Sequence, residues 1–321
     1  MKFAVIALLS LLSVHSYAQQ IIKTDITVDG RGDQTGTTQR VQDRIRMGFT
    51  IDAAGVVEIV GLIGTGPSFS NDWVSVASNN NSNGTQNLAF RNLYLRKVMG
   101  NTTVEGGAMS PEATVGSAGL GAAGWVDGVR VKTSTKIGDF KVVAGSLGDF
   151  NTPDAFSRKF QGNFIEIEMS KKVFDNLTLT GAYENFNGDN YARGDVKYDL
   201  KIVGDRVIHL FADALVDVEK NAYNYEVGAE MDLLKTIVNK YDHRLDLKVY
   251  VSHLDAGMTD RSSMVSAFYT YGTRVTAQIG GKLDKAGNVN WYARAAIGQT
   301  NRYDVGIQIK IPTGSKKKKK H

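Results

Sequence analysis

Arg44 and Arg46 are separated by one isoleucine, Arg130 and Lys132 by one valine, and Glu166 and Glu168 by one isoleucine. Glu226, Glu230 and Asp232 keep the same even spacing. Even spacing places side chains on one face of an extended strand and the intervening residues on the other. Charged groups in such rows can line water and bias which ions enter it, or they can pair with the strand next door. Covalent chemistry has less support. The chain has no cysteine, which removes thiolate nucleophiles and thiolate metal sites. His209, His243, His253 and His321 fall in no histidine-pair metal motif and no serine–histidine arrangement. His209 is expected on the same face as Asp213, as a lining or structural residue. No catalytic residue, metal or cofactor is expected.

The elements that carry these rows are strands. The cleanest is residues 303–311, where Tyr303, Val305, Ile307, Ile309 and Ile311 alternate with Asp304, Gly306, Gln308 and Lys310. Residues 223–233 alternate in the same way. Along the chain the pattern yields sixteen strands; misreading one hairpin would make it fourteen or eighteen. No stretch of helical periodicity of any length separates them. Connections after even strands are mostly short: residues 52–55, Gly100-Asn101, 136–139, 174–176 and Gly204-Asp205, with 235–242 after the twelfth longer. Those after several odd strands are longer: residues 30–38, 65–86, 110–124 and 148–161. The third strand, 56–64, is apolar on both faces, so its register stays open.

Met1-Lys2, an apolar run from Phe3 to Val14 and the small-x-small triplet Ser16-Tyr17-Ala18 predict a secretory signal peptide over 1–18, cleaved after Ala18. The run is shorter than the roughly 20 residues a membrane-spanning helix needs. After it, no apolar run is long enough to cross as a helix, and apolar residues make up only 42% of the chain. Barrel strands need only about 9–11 residues with every second one apolar. The expected fold class is therefore an all-β, transmembrane, antiparallel up-and-down β-barrel over 19–311. A basic tail follows at 312–321, either native or appended. The formal charge of +5 is matched by Lys316 to Lys320 alone, so no nucleic-acid partner is expected. A soluble sandwich with so many charged strand faces would lack an apolar core.

Four features carry a resemblance: the export signal, Arg40-Val-Gln-Asp-Arg-Ile-Arg46 opening the second strand, Gly100-Asn101 closing the fourth, and the last strand. In these the chain resembles the bacterial outer-membrane porin superfamily. Asp304-Val-Gly-Ile-Gln-Ile-Lys-Ile311 is similar to the barrel-assembly signal, but it ends in Ile311 rather than an aromatic and has a tail beyond it. The resemblance is one of architecture. It implies an outer-membrane location, a water-filled channel for ions and small hydrophilic solutes, and contact with outer-membrane lipids. It also implies recognition of residues 304–311 by the barrel-assembly machinery and, by analogy, a homotrimer. No motif specifies a solute. The alternative is a barrel that acts as a scaffold or adhesin through its external loops, without an open channel.

With the aliphatic set facing lipid, the charged set must face inward. The expected basic lining is Arg44, Arg46, Arg130, Lys132, Arg274, Lys282, Arg294 and Lys310. The expected acidic lining is Glu166, Glu168, Glu184, Glu226, Glu230 and Asp232. Their grouping on opposite sides of the ring would set up a field across the pore; equally, they could pair between strands. In porins the third external loop folds inward. Here that loop runs from Ser110 to Gly124 with Glu112 as its single charge, and its small residues suit either a constriction or a floppy loop.

Overall fold

The computed structural model describes residues 19–53, 55–67, 71–79, 88–110, 125–148, 152–202, 206–234, 245–258, 261 and 271–312. The expected leader (1–18) and residues 313–321 of the basic tail lie outside them. The described chain is almost all strand. The first nine strands are β1 (Gln19–Thr35), β2 (Thr38–Ala53), β3 (Val57–Gly64), β4 (Val74–Ser78), β5 (Ala89–Met99), β6 (Thr102–Met109), β7 (Val126–Ser134), β8 (Asp139–Leu147) and β9 (Phe164–Phe174). The rest are β10 (Leu177–Phe186), β11 (Asp189–Lys201), β12 (Val207–Asp217), β13 (Tyr223–Asp232), β14 (Leu245–Leu254), β15 (Gly272–Lys282), β16 (Val289–Gly298) and β17 (Arg302–Pro312).

All pairings are antiparallel, and β1 pairs with both β2 and β17, so the sheet closes on itself. The seventeen segments fill sixteen places. β3 pairs with the second half of β2 and β4 with the first half, so the two together make one interrupted wall strand. The sixteen-strand, all-β barrel expected from alternation is the observed fold.

The distribution of side chains is inside out. On β9, Phe164, Glu166, Glu168 and Ser170 are buried while Ile165, Ile167 and Met169 are exposed. On β17, Arg302 and Asp304 are buried while Val305, Ile307 and Ile309 are exposed. A soluble fold buries the aliphatic set; a barrel in lipid exposes it and turns polar residues inward. Aromatic residues stand near both ends of the outer wall. Phe49, Phe140, Tyr198 and Trp291 lie toward the end that holds the termini, and Tyr183, Tyr223 and Tyr303 toward the other. Rings with an apolar body and a polar edge suit the two membrane–water boundaries.

Two connections differ from expectation. Residues 30–38 read as a polar loop, yet β1 runs on to Thr35 and the turn is only Gly36-Thr37, with Gly36 at φ +56. Arg31 and Asp33 are polar because they point into the barrel, where ion partners hold them. Residues 65–86 read as one long loop, yet they contain β4, which continues the wall beside β2. The ambiguous third strand is settled by pairing: Glu58 stands opposite Asp52 and Arg96, which puts Glu58, Val60 and Leu62 inside and Ile59 and Ile63 outside.

The outer wall gives a direct test. Ile307→Lys puts a charge on the lipid face, which costs about 2–4 kcal/mol near the membrane midplane. It should reduce the fraction of chain that migrates as a compact, heat-modifiable barrel in unheated electrophoresis. Gln308→Lys, one residue on and facing inward, keeps a donor for Asp29 and should leave that fraction unchanged.

Candidate lumen site

Charges crowded inside a barrel are partly stripped of water, so they are stable when paired and hydrogen-bonded. Most of the expected lining residues are paired between neighbouring strands. Arg44 reaches Asp29 at 2.9 Å and Asp72 at 3.0 Å, and Arg46 reaches Asp29 at 3.4 Å. Glu105, fully buried, holds Arg130 at 2.6 Å, Arg96 at 2.8 Å and Lys132 at 3.5 Å. Arg294 grips both oxygens of Asp304, at 3.1 and 2.6 Å. Lys141 bridges Glu166 at 2.8 Å and Glu168 at 3.2 Å. Arg193 binds Glu184 at 3.0 Å and also Glu168. Pairing across strands is therefore the state of much of the wall that alternation placed inside.

The remaining lining residues also share the inner face. Arg274 stands opposite Ser252, Glu226 opposite Asp213, Glu230 opposite His209 and Lys248, and Asp232 opposite Asp246. Lys282 and Lys310 border a cavity of about 490 Å³ with Asp29, Arg44, Asp246 and Tyr292. His209 does not approach Asp213 as its partner; its Nδ1 lies 2.6 Å from Asp199 on β11. Two same-face steps along one strand are a longer reach than the direct neighbour across the ladder. His253 bonds Thr273 and stacks on Tyr223 and Tyr225.

Sequence reasoning missed an inward segment. After β3, Thr65 still bonds both backbone groups of Ile45: its N–H donates to the carbonyl at 3.0 Å and its Oγ1 accepts from the amide at 3.1 Å. The chain then leaves the wall and returns at Val74, opposite Asp43. Within the excursion, the Asp72 carboxylate takes Arg44 Nη1, and the guanidinium groups of Arg31 and Arg44 lie against the Trp73 ring, 4.0 and 4.4 Å from its centroid. Arg91 donates to the carbonyl of Thr65 and, at 3.4 Å, to that of Asn71. Gly66 has φ +116, and a Cβ there would lie 2.3 Å from Asp72 Cα. Only glycine fits that conformation and that gap. The available clue was Gly66-Pro67 followed by Asn71-Asp72-Trp73, a turn pair and then a lone aromatic in a stretch otherwise read as solvated loop. Of the expected constriction at 110–124, only Ser110 is described; its carbonyl accepts from Arg130. Glu112 and Gly124 lie outside the described residues.

A second intruder is Arg261, from the connection between β14 and β15. It is fully buried, and its Nε donates to Glu184 at 2.9 Å. It therefore joins the wall network of Glu184 and Arg193.

No protein-family model matches the chain, and no curated protein matches it in sequence. Solved structures match the barrel over nearly its whole length. The outer membrane protein OprD of Pseudomonas aeruginosa is 9% identical, with 93% of this chain and 96% of that one covered at a TM-score of 0.55. OprB of Pseudomonas putida is 14% identical, with 95% of each chain covered at 0.56. OccD3 (OpdP) of Pseudomonas aeruginosa is 7% identical, with 92% of each covered at 0.59. The chain has the porin barrel fold. Porin barrels of about this strand number leave room for an aqueous channel. In this barrel the inward segment and rows of paired charges occupy part of the interior.

Two substitutions test this interior. Trp73→Ala removes two cation–π contacts of about 0.5–2 kcal/mol each and empties the space beside Arg31 and Arg44. The barrel should still fold, and its single-channel conductance should rise. Glu105→Gln takes from the buried Arg130 the carboxylate 2.6 Å away, and breaking a buried pair costs about 3–5 kcal/mol. It should lower the urea midpoint of unfolding.

Proposed function

We propose that the protein is an outer-membrane channel for passive diffusion of ions and small hydrophilic solutes, narrowed inside by its inward segment. The observation that carries this reading is the closed ring with aliphatic residues outside and charged residues inside. Such a ring satisfies every wall hydrogen bond in lipid and keeps its polar groups around a lumen. Mostly short connections at the end with the termini and several longer ones at the other support an orientation with both termini in the periplasm. Residues 304–311 serve in this reading as the segment recognised during barrel assembly, and a trimer remains the analogy drawn from porins. Most charged groups of the described lining are engaged with each other rather than set out for acyl or phosphoryl transfer. A second reading, a scaffold that carries no current, is favoured by one observation: Glu184, Arg193 and Arg261 form a network with side chains at most 1% exposed.

Planar bilayers decide between the two. The purified barrel should give discrete openings, smaller than those of an unobstructed barrel of the same strand number; liposomes as tight as empty ones would leave the scaffold. Lys310→Glu tests the lining. Lys310 faces inward, is exposed, and has no ion-pair partner among the described residues. Its reversal should leave folding intact and move the reversal potential toward cations. Arg294 is less suitable, because Arg294→Glu would set a carboxylate against the buried Asp304.

A further inference from the structure

Asp195, Asp213 and Glu226 form a row across three adjacent strands. Asp195 stands directly opposite Asp213, and Asp213 directly opposite Glu226. All three face inward, with 2%, 2% and 0% exposure. Like charges placed opposite each other destabilise a sheet, and a buried carboxylate needs a partner. None of the carboxylate oxygens of Asp195 and Asp213 has a hydrogen-bond partner among the described residues. Of the nearby cations, Lys141, Arg193 and Arg261 are already held by Glu166, Glu168 and Glu184, Arg274 stands opposite Ser252 at the far end of the row, and Lys197 follows Asp195 two residues on.

A different kind of group extends the row. Ser252 is the register partner of Glu226, is 1% exposed, and its hydroxyl also lacks a partner. Two residues toward the termini end of the same strands, the rings of Phe211 and Tyr250 lie 6.4 Å apart. The ammonium of Lys248 sits 4.9 and 5.3 Å from their centroids. An amine cation is therefore already accommodated beside the row, against aromatic faces that attract it.

The shape of the row selects the ligand. Adjacent strands are about 4.8 Å apart, so three carboxylates on three strands make a line on the order of 10 Å long. They do not converge, and no group of three or more acidic or histidine side chains among the described residues could hold a metal ion. A chain with positive charges spaced along it matches a line; a compact divalent ion does not. We propose that Asp195, Asp213 and Glu226, with Ser252, form a binding subsite for linear diamines and polyamines inside the barrel. This rests on the reading that solutes enter the lumen.

The test is calorimetric titration of the folded full chain in detergent micelles with spermidine, and in parallel with magnesium chloride, at low ionic strength. Spermidine should bind, and magnesium should bind more weakly. Asp195→Asn with Asp213→Asn should weaken spermidine by at least about tenfold. These near-isosteric changes remove unpaired buried charge, so the variant should fold, as heat-modifiable migration will show; should the double variant misfold, Asp213→Asn alone carries the comparison. Unchanged spermidine affinity in the folded variant overturns the subsite, as does absent binding to the folded parent, or magnesium binding as tightly as spermidine. The titration needs no current. A barrel that binds spermidine but stays silent in bilayers therefore sinks the channel reading alone, and one that conducts without binding sinks the subsite alone.

Discussion

The structure depends on one constraint: in a lipid interior no backbone N–H or C=O can be left for water to satisfy. The seam between β1 and β17 meets it. Residues 25–35 of β1 pair with 302–312 of β17 while the other edge of β1 pairs with β2, so the first and last strands leave no open edge at the seam. Closure then determines everything radial. Once the ring is shut, each strand has one face toward lipid and one toward the interior, and period-two geometry assigns alternate residues to each. The seam is also fastened by side chains, since Asp33 of β1 holds Arg302 and Arg31 lies 3.6 Å from Asp304.

Closure creates the second problem, a crowded polar interior. The inner wall resolves it by sharing. Glu105 serves three cations from the two strands beside it, and Arg193 serves carboxylates on two. Arginine suits this role because its planar fork can satisfy several acceptors at once and stays charged. Such a wall is stabilised by its own pairing, and neutralised pairs contribute little field to a passing ion. In the proposed channel, the groups left outside this pairing are the ones that act on a passing ion, notably Lys310 toward the end that holds the termini and the carboxylates of Asp195 and Asp213.

One strand leaves the wall and sends a segment into the interior. The interruption between β3 and β4 needs a partner on the inside, and the arginines of β1, β2 and β5 provide it through Trp73, Asp72 and the carbonyls of Thr65 and Asn71. The barrel stays closed behind the excursion because Thr65 keeps both hydrogen bonds to Ile45 until the chain departs. The inward segment is thus tied to the wall's own ladder.

The sequence by itself determined the properties that follow from local geometry. Alternation along β9, β13 and β17 gave the barrel class and the inward placement of the charged lining, because a strand's period does not depend on what it pairs with. It did not determine which charge meets which. Asp33 and Arg302 are 269 residues apart, and only the register of the seam makes them neighbours. The same holds for His209, which looked to Asp213 along its own strand but meets Asp199 across the ladder. Polar composition made residues 30–38 and 65–86 look like loops; ring closure made much of both into wall, since an interior supplies partners that a lone segment lacks. Trp73 and Arg261 gave no periodic signal at all. Their place was decided by the cations and carboxylates that the closed ring had already gathered inside.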